Sequence, residues 1–289
     1  MKGHFIDIYR TRFRKASFQA NQHVKFMDTS FGRIRVFDTE STKPAIISVP
    51  DGPNVIEHHE HLIGKLSSRF RVICFEFPGF GFSHPDWAYD YSLDTSANLI
   101  LELMDTLKVE QASLSFSCSN GFYAIRAAEI APEKFAHLFL AQTPSLHSMK
   151  CWANNTIPKA LTIPVLGEFV NMLLEKKMAN SWYKYALPKD SEVRDYQNKA
   201  VKAIKTGGCF CLSGLVQGLD NDLNSKLLAL NVPSTLVWGT SDFTHRNTDS
   251  KSVLKHLPNC EIIEFKNCGH FPELENTENF VKLVHERVG

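Results

Sequence analysis

The run SLSFSCSNG, residues 113–121, places four serines and a cysteine within seven residues, just before a small-residue segment of helical character. A hydroxyl or thiol at its ordinary pKa is a weak nucleophile. It needs an adjacent base, and the base needs a carboxylate to orient it. Two downstream residues supply those types. Asp242 sits in VPSTLVWGTSDFTH, past the apolar run 235–238 and the turn Gly239-Thr240-Ser241. His270 sits in EIIEFKNCGHFPELE, past another apolar run and ahead of the last helical pattern. Nucleophile, acid and base therefore follow one another, each at the end of a strand-like run. That order suits acyl transfer, in which the imidazole takes the nucleophile's proton and later hands it to the leaving group.

Spacing selects among the nucleophiles. A sharp strand-to-helix turn that lifts a reactive residue is strained and calls for small residues two before and two after it. Ser119 has Ser117 and Gly121 at those places, so the pattern assigns Ser119. Cys118 would have Phe116 and Asn120, a poor fit, and reads as a packed thiol. Of the twelve histidines, His245 is close enough to Asp242 to be a local partner and His285 falls inside the final helical pattern. His270 alone follows the last strand-like run at a loop. Asp242 also reads as a turn or cap residue, and His270 as a buried core histidine, if each is taken singly.

The elements that would carry these residues alternate. Strand-like runs fall at 23–27, 33–38, 45–49, 72–77, 112–117, 235–238 and 261–265, with helical periodicity at 92–107, 122–130 and 279–288. Such alternation predicts an α/β fold with a mostly parallel, doubly wound sheet covered on both faces. Residues 144–231 break it, with helical patterns and no buried strand. They predict an inserted helical cap, with the core domain formed by residues 1–143 and 232–289.

Composition narrows the function classes. Of the 289 residues, 43% are apolar, enough for a sizeable core, and the formal net charge of +1 offers no field for nucleic acid or an anionic membrane. No apolar run approaches the ~18 residues of a membrane span. The N-terminal MKGHFIDIYRTRFRKASFQ lacks the apolar segment of a signal peptide, and Phe5, Ile8, Tyr9 and Phe13 fit one face of a short helix lying on the protein's own body. The seven cysteines are odd in number and contain no CxxC pair, which predicts free thiols in a reducing, cytoplasmic compartment. Cys209 and Cys211 lack a second pair, so no metal and no cofactor is expected.

Three further stretches carry a resemblance. FEFPGFGFS (75–83) resembles a D-x-P-G-x-G-x-S turn with Glu76 in place of Asp, WGTSD (238–242) a W-G-x-x-D acid motif, and CGHFPELENTENF (268–280) a G-H-x-P histidine loop. On these the chain resembles the α/β-hydrolase fold, in its lipase/esterase-like branch with a helical cap. The likeness spans essentially the whole chain and is weakest in the cap. It implies Ser119 as nucleophile, Asp242 as acid and His270 as base, with an oxyanion held by the backbone N–H of Asn120 and by a donor after the third strand. There VPDGPN puts Asp51-Gly52 on the family's His-Gly and Pro53 on the donor. Proline has no N–H. Asn54 is the replacement expected. The reading is a serine hydrolase of a small-to-medium apolar carboxylic ester. The alternatives are C–C, thioester or lactone hydrolysis, acyl transfer, or a non-catalytic ligand-binding protein.

Overall fold

The computed structural model describes residues 4–14, 16, 22–222 and 227–289, with the side chains of 221 and 222 excepted. Among the described residues, eight strands form one continuous path: β1 (Val24–Thr29), β2 (Gly32–Asp38), β3 (Ala45–Ser48), β4 (Arg71–Phe75), β5 (Ala112–Ser117), β6 (Phe135–Ala141), β7 (Ser234–Gly239) and β8 (Glu261–Phe265). Their order is β1-β2-β4-β3-β5-β6-β7-β8. The β1/β2 and β2/β4 pairings are antiparallel and all others in the path are parallel. A two-residue strand, His84–Pro85, adds to β2. The α/β class and the mostly parallel sheet expected from the sequence are both present. Strand β6 is not among those expected from the sequence: its residues, FAHLFLA, include no β-branched side chain, and such an apolar run suits a buried helix as well as a strand.

Successive strand residues point to opposite faces, and the core follows that period. Ile47, Ile73, Leu114 and Leu138 pack with helices α3 (Leu93–Thr106) and α4 (Asn120–Ile130). Ile46, Val72, Phe139 and Val237 pack with α2 (Glu60–Leu66) and a C-terminal helix, Thr277–Val288. Helix α3 begins where Ser92 accepts from the Thr95 N–H at 3.3 Å, satisfying one of the donors a helix start leaves free.

The Glu76 departure has a structural explanation. Its carboxylate accepts from the N–H groups of Ile56 (3.1 Å) and Phe82 (2.7 Å) and pairs with the buried Arg35 at 3.2 Å. It thus fastens the loop after β3 to the turn after β4. Burial pushes its carboxyl up to about 7 despite Arg35.

Among the described residues between β6 and β7 stand four α-helices: α5 (Leu146–Thr156), α6 (Leu166–Ala186), α7 (Val193–Lys205) and α8 (Leu212–Asp222). A short strand among them, Cys209–Phe210, pairs with Phe80–Gly81 and ties this helical stretch to the turn after β4. Helix α1 (Phe5–Arg12) packs on α6, though not by the apolar face expected. Ile8 is buried, but Tyr9 and Phe13 are exposed and touch each other. The buried contacts are polar: Arg10 pairs with Asp7 (3.0 Å) and Glu175 (3.2 Å) and donates to Cys211 Sγ (3.0 Å). No described helix is long and apolar enough to cross a membrane.

Candidate active site

Strand β5 ends at Ser117 and α4 begins at Asn120, leaving two residues to reverse the chain. The strained one is Cys118, with φ of 54°, a region that residues other than glycine seldom occupy. Ser119 has ordinary helical φ of −63°. The turn therefore sits one residue earlier than the spacing of small residues predicts. Phe116, two before Cys118, packs in the core edge-on to Phe75 and Phe77, so its bulk meets no obstruction. The turn is locked through Thr143, whose hydroxyl donates to the Cys118 carbonyl at 2.9 Å, and through the Cys118 N–H, which donates to the Ala141 carbonyl at 2.7 Å. Gly121 is required there: a Cβ would overlap the Thr143 side chain. Ser117 points elsewhere and donates to Glu273 at 2.7 Å.

The structure brings His270 and Asp242 together, with His270 Nδ1 at 2.7 Å from Asp242 Oδ2. Asp242 also accepts from Gln142 Nε2 (2.7 Å), from the Thr244 N–H (2.8 Å) and from the Thr244 hydroxyl (2.6 Å). Burial opposes its charge, but His270 and these donors outweigh burial and hold its carboxyl well below the usual range. Gln142 and Thr244 are missed by sequence reasoning, since no motif marks them. Gln142 Oε1 also accepts from the Gly239 N–H at 2.8 Å, so one side chain joins the ends of β6 and β7. Gln142→Ala leaves that buried N–H unpaired, and it is expected to cost about 1–3 kcal/mol, measured by urea unfolding.

The His270 loop is clamped from two sides. Glu275, at the end of helix α9 (Pro272–Glu275), accepts from the N–H groups of Gly269 (2.7 Å) and Phe271 (3.0 Å). The His270 N–H donates to the Ala186 carbonyl at 2.8 Å, at the end of α6. A Cβ at Gly269 would overlap that carbonyl. The C-terminal helix that follows, Thr277–Val288, is α10.

A second carboxylate faces the imidazole. Asp51 Oδ2 lies 3.2 Å from His270 Nε2, and Asp51 Oδ1 accepts from Asn120 Nδ2 at 3.4 Å. Burial lowers the affinity of His270 for its proton, yet Asp242, Cys118 and the hydrogen bonds to Asp242 and Asp51 outweigh it and hold the imidazole well above its ordinary value. Burial raises the Asp51 carboxyl more than His270 lowers it. Burial, and then the Asp51 charge, push the Cys118 thiol up.

The Asn54 N–H is not turned toward this centre. It closes the loop on the Asp51 carbonyl at 3.0 Å, and Asn54 Oδ1 accepts from Tyr183 Oη at 2.8 Å. The expectation that Asn54 supplies an oxyanion donor through its backbone does not survive that geometry. The helix start behind Cys118 offers other donors, because the first N–H groups of a helix have no partner within it. Those of Ser119 and Asn120 lie there.

Cys118, Ser119, Asp51 and Gly52 open on a cavity of about 920 Å³; the loop after β7 adds Phe243 and Thr244, and most of the remaining wall comes from the helical stretch, among it Leu146, Trp152, Trp182 and Leu215. Trp152 stacks on His245 (4.9 Å between ring centres, 5° between planes), and His245 stacks on His270 (5.3 Å, 18°). Trp182 meets His270 edge-on at 5.2 Å. These rings keep the imidazole in place and water away from it.

The chain matches the alpha/beta hydrolase fold family over residues 50–277, and it belongs to that family. It is similar to a 2-hydroxy-6-oxononadienedioate/2-hydroxy-6-oxononatrienedioate hydrolase of Burkholderia vietnamiensis, 22% identical over 88% of this chain and 90% of that one. It is also similar to a pimeloyl-[acyl-carrier protein] methyl ester esterase of Nitrosomonas europaea, 24% identical over 80% of this chain and 94% of that one. In three dimensions it resembles epoxide hydrolase A of Mycobacterium thermoresistibile, with a TM-score of 0.74 at 12% identity over 92% of this chain and 98% of that one. The family expected from the motifs is the family found, and the chain is an enzyme of the hydrolase class.

Proposed function

We propose that the protein hydrolyses a small-to-medium apolar carboxylic ester or thioester, with Cys118 as nucleophile, His270 as base and Asp242 as orienting acid. One observation carries this reading. Cys118 holds the left-handed turn between β5 and α4, and its Sγ lies within 4.8 Å of a ring nitrogen of His270, which Asp242 grips from the other side. Ser119, the nucleophile expected from spacing, becomes the residue behind it, and its N–H joins that of Asn120 at the start of α4 as oxyanion donors. The thiol attacks the carbonyl and His270 takes its proton. Collapse of the tetrahedral adduct expels the alcohol or thiol, which leaves with that proton, and an acyl-thioester remains on Cys118. Water, deprotonated by His270, then releases the acid and restores the thiol. Residues 144–231 act as the cap, and the apolar walls they supply favour an apolar acyl group. Seven free cysteines suit a reducing, cytoplasmic compartment. Hydrolysis of short-chain nitrophenyl esters and acyl thioesters by wild type, Cys118→Ala and Ser119→Ala tests the assignment.

Asp51 favours a second reading. A buried carboxyl beside the reacting atoms can return a proton to a carbon or enol leaving group, as C–C and lactone hydrolysis require. Turnover of vinylogous diketones or enol lactones, with none of simple esters, would select it.

Asp51 also sets the pH range on either reading. His270 must lose its Nε2 proton to act as base, and the Asp51 charge retains that proton. Asp51→Asn is expected to shift the acid limb of kcat/KM to lower pH and to raise the rate near pH 6 by about tenfold. An unmoved limb would show that Asp51 does not govern the His270 proton.

A further inference from the structure

His245 is unused by the reaction just described, and its surroundings are unusual. It is 2% exposed, lies flat between Trp152 and His270, and its Nδ1 meets the Thr248 hydroxyl at 3.2 Å. Its Nε2 is buried with no hydrogen-bond partner. A buried polar atom without a partner carries a desolvation cost and calls for an explanation. One ligating atom each from Cys118, His245 and His270 lies within 4.8 Å of the other two. Because Nδ1 of His270 is held by Asp242, its Nε2 is the nitrogen on offer, and Asp51 Oδ2 stands 3.2 Å from that nitrogen.

We propose that Cys118, His245 and His270 bind a zinc ion that switches the enzyme off reversibly, with Asp51, which lies beside His270 but outside the cluster of three, turning in as fourth ligand. A thiolate, two imidazoles and a carboxylate make a tetrahedral donor set of the kind zinc prefers. Metal–ligand distances of roughly 2.0 to 2.3 Å put neighbouring ligand atoms about 3.3 to 3.8 Å apart. The His270–Asp51 pair is already near that spacing. Cys118 and Asp51 both line the cavity, so an ion reaches them from solvent. The hydrogen bonds that orient zinc-binding imidazoles are also in place: Asp242 holds Nδ1 of His270, and Thr248 meets Nδ1 of His245.

On binding, Cys118 and His270 each release one proton, the hydrated ion loses waters, and no electron is transferred. Zinc then occupies the lone pairs of both nucleophile and base. Binding does not depend on the catalytic roles of Cys118 and His270, whereas loss of hydrolysis does.

The test uses the full chain carrying Cys151→Ser, because Cys151 is exposed and lies 3.8 Å from His147 Nε2, a possible competing pair. Zn²⁺ is titrated against a competing chelator, and Co²⁺ is followed by absorption. One equivalent should bind, with a thiolate-to-cobalt charge-transfer band and intense tetrahedral bands. His245→Gln should weaken binding by about tenfold or more, and Cys118→Ser should remove the charge-transfer band. Alkylation of Cys118 in the folded wild type should abolish the band without any change of sequence. Hydrolysis should fall with the same Zn²⁺ dependence as binding and return with EDTA. A cobalt spectrum without the thiolate band, or unaltered affinity after both His245→Gln and Cys118 alkylation, overturns the site. Binding at this site with hydrolysis untouched upholds the site but overturns the switch, and with it the catalytic roles of Cys118 and His270.

Discussion

Cys118→Ala is expected to lower kcat/KM by ~10⁴-fold or more, the scale of losing a nucleophile that acts with its base as a unit. Ser119→Ala is expected to leave the rate within a few-fold of wild type. The contrast follows from the backbone. A strand-to-helix turn of this kind lifts one side chain over the sheet edge, and the residue that takes the left-handed conformation is Cys118. Iodoacetamide should inactivate the wild type in step with modification of Cys118, followed by peptide mapping to separate it from the exposed Cys151. Burial and Asp51 hold the thiol protonated, so alkylation should quicken as pH rises. Inactivity of Ser119→Ala beside an active Cys118→Ala would return the role to the serine and sink the proposal.

That disagreement marks where the sequence stops being legible. The periodicities and turn residues reveal seven of the eight strands of the described path, because each of the seven is bounded by a local signal. They place Asp242 and His270 correctly at strand ends, and the structure brings the two into contact. On the proposed assignment the nucleophile lies one residue before the one that spacing selects, because steric room at the turn is not set locally. Room for Phe116 is made by Phe75 and Phe77, some forty positions away in the chain. Gln142 reaches Asp242 across a hundred positions, and Glu275 clamps the His270 loop by backbone donors whose direction no residue type reveals. Helix α1 fails in the opposite way. Its apolar spacing is real, but three buried charges, Asp7, Arg10 and Glu175, decide which face turns inward.

The loop VPDGPN shows a further kind of limit. Its sequence registers a loss, proline where a donor is expected, and the structure registers what stands there instead. Asp51 joins the N-terminal half of the sheet to His270, contributed by the C-terminal half, and to Asn120 at the head of α4. An imidazole between two carboxylates is a good holder of a proton and a poor acceptor of one. On the proposed mechanism the resting site is a base kept loaded, which a substrate that displaced Asp51 from Nε2, or a rise in pH, would release.

Asp242→Asn is expected to lower kcat by ~10⁴-fold with little change in KM, and to reshape the pH dependence of stability. Two donors from Thr244 meet Oδ1, while Gln142 Nε2 and His270 Nδ1, both at 2.7 Å, meet Oδ2. An amide can accept at one position only, so its NH₂ must face two other donors. His270 is then driven to the tautomer whose Nε2 carries the proton, directed at Asp51 and unable to take the proton of Cys118. The stability change has a definite pH window. The folded pKa of Asp242 lies below its ordinary value, so its contribution is present above about 3.8 and is lost as pH falls through the folded pKa. That of His270 lies well above 6.5, so its contribution is complete below 6.5 and is lost as pH rises through the folded pKa. The charged pair therefore stabilises most between those two ordinary values, and the deficit of the asparagine variant should be largest there. Urea unfolding across the pH range measures it, and a deficit independent of pH would mean that Asp242 and His270 are not an ion pair in the folded protein.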